Sequence, residues 1–498
     1  MVNSPSNSAV SIQVAVVAVA ATFEIWRRFL RGPEDKKKAV AKTDDTGDKV
    51  TIGSRGVAAL PAPLSYLSSF FRCLQDPCDV QYNPQGYIAL CIAENKLVTD
   101  LIADRLIQPG TAAAAFSDAE VYGYSSFLGL PVARSAVAYF LAKKFLSPDN
   151  KNLNPAEALE LISPERIALG SGVAALLNYL FYILGEKGDC CLIPAPYYAA
   201  FEADMSVIAG CVPFAVRLTT PEKGPTIDEL NLAYDQAQAK GMNVRFLLIT
   251  NPHNPLGIIY DPQTIKSVVQ WAREKGLHII MDEIYALSYH KKDGQKFQSI
   301  IRIMNNDLGS DIHFLWALSK DFGASGFRVG TLYTQNEQLL AALANLNIFS
   351  GVSHPIQMIT AEILTDDPFV DSFLDTSRER LIRSYEICSS KLDEMVIPYV
   401  QAEACIFLYA DFSSLLPRKD SQGEAMLSEL LTNYARIVLT PGDSQRDSRP
   451  GWFRICYASV SPEVLEIAME RLSRLVVKVR KMDWYDLNAA TLESVLSF

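Results

Sequence analysis

The stretch Ala317–Gly330, Ala-Leu-Ser-Lys-Asp-Phe-Gly-Ala-Ser-Gly-Phe-Arg-Val-Gly, decides how the rest of the chain is read. It follows a mostly apolar run, Ile312–Leu318, that reads as a buried strand. A lysine at the mouth of such a strand, among small residues, loses solvation. That disfavours the ammonium form and frees the amine as a nucleophile able to form a Schiff base with a carbonyl. Arg328 lies eight residues beyond Lys320, past a glycine-rich turn that can fold its guanidinium back to clamp a phosphate. The competing reading is a solvated Lys-Asp loop beside a structural arginine.

Working outward, composition limits the choices. The 498 residues are 49% hydrophobic and 20% charged, with net charge −10. This is enough material for a large core and two or three domains. The acidic balance, with no long basic patch, argues against general nucleic-acid binding. Nine cysteines are scattered without paired spacing, as free thiols in a reducing compartment would be. No metal-ligand pattern is completed.

Residues 9–26 form an apolar run of mostly Ala and Val, followed by Arg27, Arg28, Arg31 and Lys36–Lys38. The run is short for a spanning helix and lacks the leading positive charge of a cleaved signal. Two readings stay open. One is an anchor that leaves the catalytic body on the cytosolic face of a membrane. The other is a helix packed on the body or on a partner, with the protein cytoplasmic. Gly32–Gly53 is charged and reads as a linker.

Strand-like runs at Arg166–Leu169, Cys190–Ile193, Val244–Thr250, Leu277–Met281 and Ile312–Leu318 alternate with helical stretches, including Gly172–Leu184 and Pro262–Lys275. Helical patterns at Asn95–Ile107 and Pro131–Lys144 precede them. This predicts an α/β domain with a largely parallel sheet. Beyond Ser350, helices at Pro355–Leu364 and Phe369–Met395 precede strands at Ile406–Ala410, Ile437–Thr440 and Phe453–Tyr457. A last helix starts at Pro462, and the whole predicts a second, α+β domain. The expected divisions are 1–55 (apolar segment and linker), 56–115 (first part of the small domain), 116–352 (large domain) and 353–498 (rest of the small domain).

The candidate functional residues fall at strand ends, where open α/β sheets bind ligands. Gly170-Ser171-Gly172-Val173-Ala174 joins a strand to a helix whose first amides can hold a phosphate. Tyr197 and Tyr198 can stack on a flat heteroaromatic ring. In Asn251-Pro-His-Asn-Pro-Leu-Gly257 two Asn-Pro turns hold Asn254, whose amide can donate to a phenolic oxygen. Asp282, closing a buried strand, needs a cationic partner, and a protonated pyridine nitrogen supplies one. Tyr285 can donate to the same oxygen as Asn254. Arg454, inside an apolar strand, needs an anion such as a substrate carboxylate. Each also has a plain structural reading: a packed turn, a packed tyrosine, an internal ion pair.

Together these motifs resemble fold-type-I pyridoxal phosphate enzymes of the class I/II aminotransferase group. The likeness is greatest to the branch containing 1-aminocyclopropane-1-carboxylate synthase, and spans roughly residues 60 to 478. Asn83-Pro84-Gln85-Gly86, Ala93-Glu94-Asn95-Lys96-Leu97 and Pro450–Arg454 add to it. The resemblance implies an aminotransferase-like large domain with a mostly parallel seven-stranded sheet, a smaller α+β domain, and a homodimer with shared active sites. It implies pyridoxal 5'-phosphate bound to Lys320, which also shuttles the Cα proton. Asp282 would meet the pyridine nitrogen, Asn254 and Tyr285 the ring hydroxyl, and Tyr198 the ring face. Arg328, Ser319 and the amides near Val173 and Ala174 would hold the phosphate. Arg454 would take the carboxylate of an amino-acid substrate, with Glu94 nearby.

Three positions depart from the family pattern. Ala317 stands where a Ser, Val173 where a Thr, and Phe127 where a Tyr from the other subunit normally reaches the phosphate. Each change removes a hydroxyl that contributes about 1 kcal/mol or more toward a charged acceptor. The implied chemistry runs through an external aldimine and a Cα carbanion of quinonoid character. Its outcome is most generally transamination. The alternatives are α,γ-elimination on S-adenosylmethionine, carbon–carbon bond formation in a specialised pathway, and, remotely, a catalytically silent regulator.

Overall fold

The computed structural model describes residues 52–60, 64–289 and 297–481. The chain divides into two units, residues 1–68 and 69–498. The described part of the first holds the short helix Ser54–Ala58, whose Val57 N–H donates to the Gly53 carbonyl at 3.0 Å. The apolar run at residues 9–26 and most of the linker lie outside the described residues. Among the described residues no helix is long and apolar enough to cross a membrane.

In the second unit the described strands, in chain order, are β1 (Ile88–Ala89), β2 (Ile167–Ser171), β3 (Cys190–Ala195), β4 (Val212–Arg217), β5 (Val244–Thr250), β6 (His278–Asp282), β7 (Ile312–Ala317), β8 (Val329–Thr334), β9 (Tyr399–Val400), β10 (Phe407–Asp411), β11 (Ile437–Val438), β12 (Thr440–Pro441) and β13 (Trp452–Cys456). Seven form one sheet in the order β2-β8-β7-β6-β5-β3-β4. It is parallel except for β8, which runs against both β2 and β7. This is the α/β class and mostly parallel sheet that the alternating pattern predicts.

The central strands are apolar on both sides because both faces are covered. Successive residues of a strand point to opposite faces. Ile249, Ile279, Phe314 and Trp316 therefore enter a core with helices Pro131–Leu141 and His354–Thr365. Leu248, Ile280, Leu315 and Ala317 enter a second core with helices Val173–Leu184 and Glu337–Leu346. A third core surrounds the antiparallel sheet β12-β13-β10-β9 and is closed by helices Asp367–Glu394 and Pro462–Arg480. β1 pairs with β11 in parallel, bringing the segment before residue 90 to the C-terminal part of the chain.

The differences from the expected elements have local causes. β4 was not anticipated because it is a half-buried edge strand carrying Pro213. β8 was hidden because it follows directly on the glycine-rich turn. The expected helix from Asn95 starts only at Thr99; Asn95 and Lys96 before it instead donate to the carbonyls of Lys320 and Ala458. The expected strand Ile437–Thr440 is two short pieces, one on β1 and one on β13.

One close approach fixes the end of the sheet. Gly330 lies opposite both Gly170 and Ala317, and a Cβ there would meet the Gly172 carbonyl carbon at 2.5 Å and the Val173 nitrogen at 2.8 Å. Both are backbone atoms that cannot swing aside. Gly330→Ala is therefore expected to cost about 1–3 kcal/mol, as overpacking does. Urea unfolding measures this, and an unchanged midpoint contradicts the close approach.

Candidate active site

Loops following β2, β3, β5, β6 and β7 converge at one end of the large sheet. β7 ends at Ala317, and one helical turn, Leu318–Asp321, carries Lys320. The lysine amine donates to the Ala93 carbonyl at 2.5 Å. Burial lowers its pKa from 10.5 to about 8; Arg454 and Arg328 nearby push it the same way by less, and Cys456 and Glu94 push against it.

β6 ends at Asp282, which is 4% exposed. Its carboxylate accepts from the Ile284 N–H at 3.3 Å. Burial raises its pKa to about 7, and the Lys320 charge pulls the other way. The Lys320 amine is thus close enough to act on the Asp282 carboxylate. Glu283, the next residue of the same motif, serves another purpose: its Oε1 accepts from the Ile300 N–H at 2.6 Å.

Asn254 and Arg454 meet directly. Arg454 Nη1 donates to Asn254 Oδ1 at 2.9 Å, and Nη2 to the Cys91 carbonyl at 2.9 Å and to Thr440 Oγ1 at 3.2 Å. Arg454 is 1% exposed, and its Nε has no protein partner. With the Asn254 oxygen committed to the arginine, its amide nitrogen is the group left to donate elsewhere. Tyr285 is buried with its ring edge on Phe407, and Arg454, Tyr198 and Asp282 are near enough to act on its hydroxyl.

The two tyrosines after β3 are placed differently. Tyr197 is buried, donating from its hydroxyl to Glu202 at 2.9 Å and from its N–H to the Gln445 carbonyl at 2.9 Å. Tyr198 is half-buried and packs edge-on against Phe201, with 5.3 Å between centroids.

At the phosphate-type loop, Arg328 lies over Gly172. Its Nη1 donates to the Ser325 carbonyl at 3.1 Å and its Nη2 to the Ser171 carbonyl at 3.2 Å. Gly172 has φ +84°, which favours glycine, and a Cβ there would stand 2.3 Å from Nη2 and displace the guanidinium. Val173 and Ala174 begin the twelve-residue helix Val173–Leu184, whose first amides face this end of the sheet. Ser319 is buried in the lysine turn. The Phe127 carbonyl accepts from Asn347 Nδ2, which also donates to the Leu169 carbonyl in the middle of β2. Glu94 is partly exposed, 3.6 Å from Lys96.

Sequence reasoning missed several residues here. The backbone carbonyls of Cys91 and Ala93 hold Arg454 and Lys320, a role no side-chain pattern signals. Asp204 is influenced by Asp282, and burial raises its carboxyl to about 7. Gln445 is 1% exposed, and neither atom of its amide has a protein partner.

The chain matches the family model "Aminotransferase class I and II" over residues 87–472. It belongs to that family. A 1-aminocyclopropane-1-carboxylate synthase of Arabidopsis thaliana is 31% identical over 418 residues, covering 81% of each chain. One from Glycine max is 30% identical over 87% of this chain and 88% of the other. Among solved structures, aspartate aminotransferase from Thermus thermophilus aligns with a TM-score of 0.69 at 20% identity, covering 86% of this chain and all of the other. An aromatic aminotransferase from Pyrococcus horikoshii aligns at 0.64 and 23%, covering 79% and 96%. The protein is a pyridoxal phosphate-dependent enzyme acting on amino acids.

The donor set of this aminotransferase-family chain fits that cofactor. A buried carboxylate short of donors suits a protonated ring nitrogen, and the open Gly172 cradle under Arg328 suits a phosphate. The lysine offers a clear pH signature. An amine of pKa about 8 is half unprotonated at that pH. The rate at which cofactor-free enzyme captures pyridoxal phosphate is therefore expected to rise with pH to about 8 and then level off. An ordinary lysine would keep gaining reactivity past pH 10. Stopped-flow absorbance distinguishes the two profiles.

Proposed function

We propose that this enzyme takes an α-amino acid by its carboxylate on Arg454, that Lys320 removes and returns the Cα proton, and that the net reaction is amino-group transfer to an oxo acid. The observation that carries the reading is the buried Arg454. Two of its nitrogens are tied to Asn254, Cys91 and Thr440, while Nε is left without a protein partner beside Lys320. A substrate carboxylate answers that need.

Within this reading Asp282 holds the cofactor's ring nitrogen in its protonated form. Asn254 and Tyr285 donate to its ring oxygen, and Tyr198 covers its face. Arg328, Ser319 and the amides of Val173 and Ala174 hold its phosphate. Glu94 stands on the substrate side. Bound there, pyridoxal phosphate supplies a sink for the electron pair left on Cα. Lys320, once displaced by substrate, is an amine of suitable basicity at neutral pH to carry the proton.

A second reading is favoured by the curated relatives, which bear the name 1-aminocyclopropane-1-carboxylate synthase at 30–31% identity. It is ring closure of S-adenosylmethionine. A panel of amino acids and S-adenosylmethionine, mixed with holoenzyme, separates the two. Loss of the cofactor's visible band that an oxo acid restores means transamination. Release of methylthioadenosine with the band retained means ring closure. Neither response, together with failure of borohydride to fix a cofactor adduct on Lys320, overturns the proposal.

We further place the protein in the cytoplasm, where nine free cysteines suit a reducing medium. An anchored form held through residues 9–26 is tested by fractionating the full chain against a form that begins at Gly53.

The enzyme works as a homodimer, the usual state of its family. Tyr124 is 95%, Phe349 81% and Tyr122 75% exposed, an unusual display of large apolar side chains. The Asn347–Phe127 bond ties their two segments together next to β2. A second copy covering this face explains it. Substituting both Tyr124→Glu and Phe349→Glu is expected to give a monomer in sedimentation and to lower cofactor retention. An unchanged dimer excludes this face.

A further inference from the structure

We propose that Asp321 is a positioning residue for Lys320: its carboxylate fixes the turn that carries the lysine against the loop that carries Tyr285. The proposal rests on the assignment of Lys320 as the cofactor-bearing lysine, and it concerns what aims that lysine.

The turn Leu318–Asp321 is only four residues long. So short a helix has no stability of its own, because nucleation costs more than one turn of bonds returns. Its orientation must come from tertiary contacts. The side chain after the lysine supplies three. Asp321 Oδ2 accepts from the Trp316 indole N–H at 2.8 Å and from the Leu287 N–H at 3.1 Å. Oδ1 accepts from the Ser288 hydroxyl at 2.7 Å. Trp316 lies within β7, so one bond ties the turn to its own strand. Leu287 and Ser288 follow Tyr285 closely, so the other two tie the turn to the loop leaving β6.

Asp321 is 1% exposed and Trp316 fully buried, so water cannot substitute for these donors. The turn is also pinned from above. A Cβ at Gly323 would meet the Asn95 carbonyl at 2.6 Å. Lys320 is thus held between the Ala93–Asn95 segment and the Asp321 brace, and losing the brace lets the amine tilt while the fold persists.

Asparagine separates positioning from charge. In Asp321→Asn the amide oxygen can accept from Trp316 and Leu287, while its NH2 donates to Ser288 with that hydroxyl turned round. All three bonds survive without the charge. In Asp321→Ala all three are lost.

Cofactor-loaded variants are compared by the pH midpoint of the cofactor's visible band, by kcat and KM for whichever amino acid the wild type turns over, and by thermal melting. Asp321→Asn is expected to keep the band midpoint and to stay within about threefold of wild-type kcat. Asp321→Ala is expected to shift the midpoint and lower kcat by tenfold or more, with KM little changed, since misplacing a reacting group by an ångström is that costly. Ser288→Ala removes one bond and is expected to move the midpoint the same way by less. It serves if Asp321→Ala fails to fold.

The proposal falls if Asp321→Ala melts earlier but keeps the wild-type midpoint and kcat, the result of a purely structural role. It falls equally if Asp321→Asn behaves like Asp321→Ala, or if Ser288→Ala changes nothing. If wild-type Lys320 carries no cofactor at all, the failure belongs to the underlying assignment, and borohydride fixation on the wild type shows that first.

Discussion

Charge has been taken out of water at one end of a parallel sheet, and the rest of the site follows from how that charge is partly compensated. Asp282 ends β6 and Lys320 follows the end of β7, while Arg454 lies in the middle of β13. Asp282 and Arg454 are almost wholly buried, and Lys320 is desolvated enough to lose much of its basicity. Burying any one alone is costly. Yet the protein partners are sparse: one carbonyl for the lysine, one N–H for the aspartate, and an arginine with Nε unpaired. A folded core with no ligand to bind would have replaced such a set with apolar residues or paired it fully. The deficit matches what a small molecule with a ring nitrogen, a carbonyl carbon and a carboxylate can supply.

Topology explains why three distant motifs meet. β6 and β7 run in parallel, so their last residues, Asp282 and Ala317, lie at the same edge. β8 runs back against β7, so Arg328, just before β8, returns to that edge immediately after the lysine turn. β2 also runs against β8 and ends there, which sets Gly172 beneath the guanidinium. A single reversed strand in an otherwise parallel sheet thus places Arg328 and Gly172 beside the turn that carries Lys320. The carbonyls of Cys91 and Ala93 accept from Arg454 and Lys320, so one short segment ties β13 to the lysine turn.

Much of this was legible because the residues concerned break local rules. A lysine after an apolar run, an aspartate closing a buried strand and an arginine within another are each costly unless they serve something. The strands bearing them are long apolar runs, so they too were readable. What stayed hidden depends on contacts rather than residue type. β4 is a half-exposed edge strand, and β8 starts inside a motif that reads as a turn. The segment Asn95–Val98 has helix-forming residues, but its groups bond across to the lysine turn and to Ala458. Gln445 looks like an ordinary polar residue of a Gly-Asp-Ser-Gln turn. Only the fold shows it to be buried with an unpaired amide.

The same distinction bears on reaction fate. In the proposed reading Lys320, Asp282 and Arg454 together would recognise an amino acid and remove its Cα proton. They do so whether the electron pair then returns to carbon, expels a leaving group or forms a new bond, so they cannot choose among these outcomes. The choice must come from groups that contact the substrate beyond Cα or govern where the proton is returned. Glu94 brings a carboxylate near the lysine. The Asp443–Gln445 turn joins Tyr197 through the Gln445 carbonyl and stands one short loop from Thr440, a partner of Arg454. A desolvated amide at such a place costs stability unless something pairs with it. Glu94 and this turn thus stand beside Lys320 and beside a partner of Arg454 without belonging to the motifs that carry those two residues.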